Sequence, residues 1–304
     1  MPTTVPHAIP ESPPQHESTS ENAARGRILI LIAAVLWSSS GFFAKADVFA
    51  GWPGPLLAFW RAAFALTILV PFVRRPQWSL WLIPMTLCFI GMNWAYLTAM
   101  TTGRAATAIW LQCTAPLWVL IVGVTFFKEK LLRSDLFLMG FGCAGVALIL
   151  GFELRDAATA SVMYGLLSGV FYAGVVLSLR LLRAIDPAWL ITLNLLATVA
   201  ALSPYAIWGD HQPSGYQWIY LAGFGALQMG LPYLLFARGV RSISGHEASG
   251  LALVEPVLVP VWAFLVWHEG VTWPIVIGGV LIFCGLLVRI IPSKNNEAVN
   301  KRGH

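Results

Sequence analysis

Two ionisable side chains stand inside long apolar runs of this 304-residue chain. Glu255 lies in Leu-Val-Glu-Pro-Val and Arg61 in Phe-Trp-Arg-Ala-Ala. A carboxylate so far from water is costly and normally faces a polar cavity or a partner, so Glu255 is a functional candidate by default. It can bind the ammonium of a solute or carry a proton during exchange. The structural alternative is a carboxyl that hydrogen-bonds backbone freed by Pro256 and Pro260. Arg61 can meet a solute carboxylate, but at 1.5 Å per residue it is only about 10 Å from the near end of its helix. Snorkelling to that end, or pairing with Asp47 or a backbone carbonyl, accounts for it more simply.

Aromatic side chains supply the second kind of chemistry. The chain has fourteen Trp. Trp52, Trp78, Trp81, Trp189, Trp208, Trp218 and Trp273 fall near the ends of apolar runs, where an interfacial belt is expected. Trp37, Trp94, Tyr96, Trp110, Trp118, Phe171, Tyr172, Tyr233 and Trp262 lie deeper. A buried indole N–H needs an acceptor, so several of these should face a wet cavity or a polar neighbour. Trp37 with Ser38, and Asn93 with Tyr96, mark polar-aromatic faces, and Trp110 shares a helix face with Thr114 at i, i+4 spacing. Helix packing is the plain alternative for each of them singly. As a group they favour a cavity for flat, partly apolar solutes. The candidate solute-binding set is Trp37, Ser38, Asn93, Tyr96, Trp110, Thr114, Phe171, Tyr172, Tyr233, Glu255 and Trp262.

Other chemistries lack their residues. Cys88, Cys113, Cys143 and Cys284 fall in four different apolar segments without metal-ligand spacing. The six histidines sit in tails or near helix ends. No cofactor or metal is expected. A lipid-modifying enzyme would need clustered His, Asp or Cys, and an ATP-driven pump would need a Walker A loop. Neither pattern is present, so the chain is read as a non-enzyme. A channel or sensor stays open, and counterflow would separate it from a carrier.

The elements that position these residues are dictated by composition. Hydrophobic residues make up 58% of the chain and charged ones 11%, with mean hydropathy +0.72. A soluble exterior cannot be built from that composition. Ten apolar segments, at 28–46, 55–73, 79–101, 104–126, 134–151, 159–182, 187–208, 216–237, 246–267 and 272–291, are each long enough to cross about 30 Å of hydrocarbon. The partners expected are the bilayer and a small solute, with no nucleic acid. Residues 1–27 read as a disordered cytoplasmic tail, not a signal peptide, and 292–304 as a second cytoplasmic tail. With ten crossings and the N-terminus inside, fifteen Lys and Arg lie on the cytoplasmic side and three, Lys45, Arg104 and Arg155, on the other. That asymmetry places both termini in the cytoplasm.

The stretch Ala108–Glu129 recurs at Ala248–Glu269. Laid over each other without a gap, Leu111 meets Leu251, Pro116 meets Pro256 and Glu129 meets Glu269. A weaker echo sets Leu36-Trp37-Ser38 against Val170-Phe171-Tyr172. Two repeats, 28–151 and 159–291, of five helices each would enter the membrane from opposite sides, the inverted plan of many secondary transporters. Glu129 and Glu269 sit at helix C-termini, where the macrodipole disfavours an acid, so each should latch to a partner such as Lys130, Arg133 or the start of the next helix. Gly165 and Gly169 form a close-packing pair, while Gly140, Ala144, Gly278, Gly279 and Gly285 thin helices 5 and 10, which are placed outside the solute path, at a dimer contact if there is one. A monomer or weak homodimer is expected. Pro84, Pro116, Pro232, Pro256 and Pro260 should kink helices or act as hinges.

These features resemble the drug/metabolite transporter superfamily, EamA type. Trp37-Ser38, Arg61, Tyr96 with Ala99, Pro116 before Glu129, and Glu255-Pro256 before Glu269 carry the likeness, which covers nearly all of residues 28–291. Within the superfamily the Trp-rich helices and Asn93-Trp94 are most similar to bacterial YddG-type exporters of aromatic amino acids. The resemblance implies an all-α integral membrane protein of ten helices. It also implies export of small metabolites, aromatic and other amino acids first, across the inner membrane by alternating access. Another solute of the same superfamily is the alternative.

Overall fold

The computed structural model describes residues 15–73, 76–128, 131, 133–153, 159–243 and 245–290. Among them there is no strand. Ten helical elements follow one another. α1 is Gln15–Ser38 continued by Ser40–Ala44, α2 Gly54–Leu69, α3 Leu82–Thr102, and α4 Ala105–Gln112 followed by Ala115–Thr125. α5 is Arg133–Glu153, α6 Thr159–Leu181 and α7 Pro187–Ile207. α8 is Gln217–Gly225 and Leu231–Gly239 around a π-turn, α9 Gly245–Ala252 followed by Val254–Trp267, and α10 Trp273–Ile290. Among the described residues nine helices are long and apolar enough to cross a membrane, and α10 adds a shorter apolar stretch, Trp273–Val288.

Helix boundaries follow from local chemistry. Asp186 caps α7, its carboxylate accepting from Ala188 N at 3.4 Å, and Pro187 occupies the first turn, where a missing N–H costs nothing. One correction concerns the N-terminal end. Residues 15–27, expected to be without structure, are helical, whereas 1–14 and 291–304 lie outside the described residues. Arg27 explains part of this, since its Nε meets Glu247 Oε1 at 2.5 Å and ties the start of α1 to α9.

Three of the prolines act differently from simple kinks, whereas Pro260 lies inside a helix. Pro116 sits in the first turn of the second piece of α4, after a break at Cys113–Thr114, and Pro232 in the first turn after the π-turn. Pro256 follows the break at Leu253 in α9. At such positions the ring starts a new helical segment instead of bending an old one. The breaks in α4 and α9 are 140 residues apart, Cys113 to Leu253, as are two left-handed residues, Lys128 and His268, each at φ 52°. Neither is glycine, so both positions are conformationally demanding.

Packing pairs helices from the two ends of the chain. α5 lies along α10, α3 along α6, α2 along α7 and α1 along α8, with α4 touching α9. Bare backbone permits the tightest of these. A Cβ on Gly145 would run into the Gly278 carbonyl, and one on Gly278 would come within 2.8 Å of the Gly145 carbonyl. Gly165 and Gly169 bring α6 onto Leu111 and Thr114 at the break in α4. Of the Trp expected at the interfaces, Trp78, Trp81, Trp208, Trp218 and Trp273 are exposed, as a belt requires, whereas Trp52 is buried against Phe49 and beside His211.

Candidate functional site

Six interior polar side chains, Ser38, Ser40, Arg61, Asn93, Tyr96 and Gln228, form a linked cluster where α1, α2, α3, α8 and α9 meet. Ser38, fully buried on α1, accepts from Trp262 Nε1 of α9 at 2.9 Å and donates to the Val35 carbonyl at 2.6 Å. Two residues on, Ser40 Oγ and Tyr96 Oη of α3 are 3.1 Å apart. Asn93, one turn before Tyr96, donates from Nδ2 to the Phe89 carbonyl at 2.8 Å and accepts from Arg61 Nη2. Arg61 Nη1 donates to Gln228 Oε1 at 3.4 Å, and Gln228 Nε2 donates to the Trp37 carbonyl at 3.1 Å. The π-turn Ala226–Gly230 is what turns Gln228 into this chain. Such a wide turn inside an α-helix often marks a functional position.

Aromatic rings close round the cluster. Trp37 meets Tyr233 edge to face, centroids 5.3 Å apart, and Phe236 at 5.3 Å. Tyr172 of α6 is 41% exposed. The charge of Glu255 acts on Tyr96, Cys113, Tyr172, Tyr233 and Arg61, so these groups share one electrostatic neighbourhood. Glu255 itself, on the residue after the start of the second piece of α9, is half-buried and makes no hydrogen bond within the described residues. A half-buried carboxylate without a hydrogen bond, close enough for its charge to be felt at Tyr96, Tyr172 and Tyr233, can take a cationic nitrogen through a charge-assisted contact.

Of the candidate residues the structure brings Trp37, Ser38, Asn93, Tyr96, Tyr233 and Trp262 together through hydrogen bonds and ring contacts, with Glu255 and Tyr172 joined to them only through space by charge. Three lie elsewhere. Trp110 packs its ring on Gly279 of α10, Phe171 presses on Gly91 of α3, and Thr114 spends its hydroxyl on the Leu111 carbonyl at 2.6 Å and the Trp118 indole at 3.2 Å. Arg61 corrects the sequence reading outright. It neither snorkels nor pairs with Asp47, but lies 4% exposed between α2, α3 and α8. Gln228 and Ser40 were not singled out from the sequence. A lone Gln in an apolar run was the one available signal.

The family model for EamA-like transporters matches residues 24–151 and matches again over 159–291. The chain belongs to the EamA-like transporter family. Curated relatives agree. An uncharacterized transporter of Archaeoglobus fulgidus is 27% identical over 86% of this chain and 95% of its own. The uncharacterized transporter YxxF of Bacillus subtilis is 24% identical over 94% and 96%. A solved crystal structure shares the fold, with TM-score 0.63 at 17% identity over 87% of this chain and 96% of its own. This EamA-family protein is therefore a multi-pass membrane transporter.

At one end of the EamA helices, the latch expected at Glu269 is present with a different partner. Its Oε1 accepts from the backbone N of Ala105 at 2.6 Å, capping the start of α4, not of α10. Its Oε2 is 3.8 Å from Lys45 Nζ, which donates to the Gly103 carbonyl. Burial holds the Lys45 ammonium below the usual lysine range, and the Glu269 carboxylate works in the opposite direction. The hydrogen bond to a helix start is the firmer half of this latch. Glu129 lies outside the described residues.

Proposed function

We propose that the chain is a secondary transporter that exports small amphipathic metabolites, aromatic amino acids first, across the inner membrane by alternating access. The observation that carries the reading is the half-buried Glu255 carboxylate, without a hydrogen bond, in the electrostatic neighbourhood of Tyr96, Tyr172, Tyr233 and Arg61. Charge at that depth is retained where a solute or a proton uses it.

The architecture of such a carrier is two five-helix repeats, 28–151 and 159–291, related by a pseudo-twofold axis in the membrane plane. Three facts support it: the breaks and the left-handed residues recur at an offset of 140. The end of α9 meets the start of α4, so these two run antiparallel. Contacts pair α2 with α7, α4 with α9 and α5 with α10. Both termini are placed in the cytoplasm by the fifteen-to-three distribution of basic residues.

The test is flux of radiolabelled phenylalanine or tryptophan in liposomes holding purified protein. Saturable efflux, accelerated by unlabelled aromatic amino acid on the far side, is expected. Absence of flux, or uptake indifferent to competing amino acids, rejects the substrate class.

A further inference from the structure

Arg61 is a cation in the hydrophobic part of a membrane protein with neutral partners alone. Nη2 donates to Asn93 Oδ1, Nη1 to Gln228 Oε1 at 3.4 Å, and the Phe224 ring lies 5.2 Å from Cζ. Nε is buried with no hydrogen-bond partner. Among the described residues no carboxylate forms an ion pair with it. A guanidinium has five N–H donors in a planar fork shaped for a carboxylate, and here amide oxygens use two.

A purely structural role explains this poorly. Taking an ion out of water costs several kcal/mol even after relaxation, and an apolar side chain of similar volume in the same gap is often as stable or more so. The surroundings hold the guanidinium in place. Asn93 is anchored on the Phe89 carbonyl and Gln228 on the Trp37 carbonyl, so both acceptors are fixed before any solute arrives. Gln228 reaches its position through the π-turn, and Trp37 links it to Tyr233. Arg61 and Glu255 act on each other through space without forming an ion pair.

We infer that Arg61 is the carboxylate-binding group of the solute site, so that a transported solute presents an anion to α2 and an aromatic body to Trp37 and Tyr233. A zwitterion satisfies both charges, its carboxylate on Arg61 and its ammonium on Glu255. An amine without the carboxylate satisfies one. The inference rests on the carrier reading above and narrows its substrates to aromatic carboxylates.

The experiment titrates purified wild type, Arg61→Gln and Arg61→Lys with phenylalanine, 3-phenylpropanoate, phenethylamine and phenylalaninamide, following tryptophan fluorescence, with thermal unfolding run in parallel. Wild type is expected to bind both carboxylates, and to bind phenylalaninamide about tenfold more weakly than phenylalanine, since a charge-assisted pair is lost. Arg61→Gln should weaken both carboxylates by about tenfold while leaving phenethylamine within about twofold, and Arg61→Lys, keeping charge without the fork, should fall between. A uniform loss for all solutes, or no loss, overturns the inference. If neither variant folds, equal wild-type affinities for phenylalanine and its amide overturn it and the tenfold difference sustains it. Wild type that binds 3-phenylpropanoate through Arg61 but moves no phenylalanine in liposomes keeps this inference and ends the amino-acid reading.

Discussion

Single residues divide by whether their meaning is local. Glu255 was legible because an acid in an apolar run is rare and costly wherever the neighbours are. Arg61 was misread because distance to water was reckoned along its own helix. Its partners come from α3 and α8, and nothing in the local sequence shows that those helices adjoin α2. Gln228 has no period and no charge to announce it, and its direction depends on a π-turn that shifts the register of α8. Trp110 fits its helix face by spacing alone, yet the neighbour on that face is glycine, so the ring packs instead of lining the cluster. The prediction at this scale concerns Glu255→Gln. Under the carrier reading, losing the charge should cut flux of the proposed aromatic solutes by about tenfold near pH 8, because a charge-assisted contact is replaced by a neutral one. An unchanged rate and pH profile in proteoliposomes removes Glu255 from transport.

Helices were legible as lengths of apolar sequence, and their breaks as prolines, since both follow from chain-local physics. What each helix end touches was not. Glu269 was expected to latch, and it does, but on a helix that begins 164 residues earlier in sequence. Glu269→Ala should lower stability by about 0.5–2 kcal/mol, the usual cost of a lost N-terminal cap, with Glu269→Gln milder because an acceptor remains. Thermal unfolding in detergent measures both, and a neutral alanine variant would show the latch carries no stability. The α5–α10 crossing offers a contrast between glycines. Gly145→Val puts side-chain carbons into the backbone of α10 and should destabilise by about 1–3 kcal/mol or more, as overpacking does. Gly140 has nothing within 4 Å of an added Cβ. Gly140→Ala should therefore be neutral or stabilise by up to about 1 kcal/mol through helix propensity.

At the scale of the molecule the succession of long apolar helices was legible from composition, whereas the pairing of helices was not. Contacts between apolar helices are chosen by where small residues let backbones close, and nothing in the local sequence separates Gly145, set against Gly278, from Gly140, with open space around it. Reporter fusions test the topology: alkaline phosphatase on either terminus should be inactive and green fluorescent protein bright, and an active phosphatase at one end would exclude an even number of crossings with both termini inside. The interleaved pairing also bears on how the chain is made. α2, α3 and α1 leave the ribosome well before α7, α6 and α8, their companions. At roughly 5–20 residues per second, further synthesis of about 80 residues for α3 (Thr102 to Leu181) and about 195 for α1 (Ala44 to Gly239) keeps the early helices waiting for some 4–40 s. During that interval the bilayer, or an insertase beside the translocon, must shelter faces such as the one carrying Arg61. Slowing elongation across residues 100–220 should thus raise degradation of nascent chains, though the finished fold is unaltered.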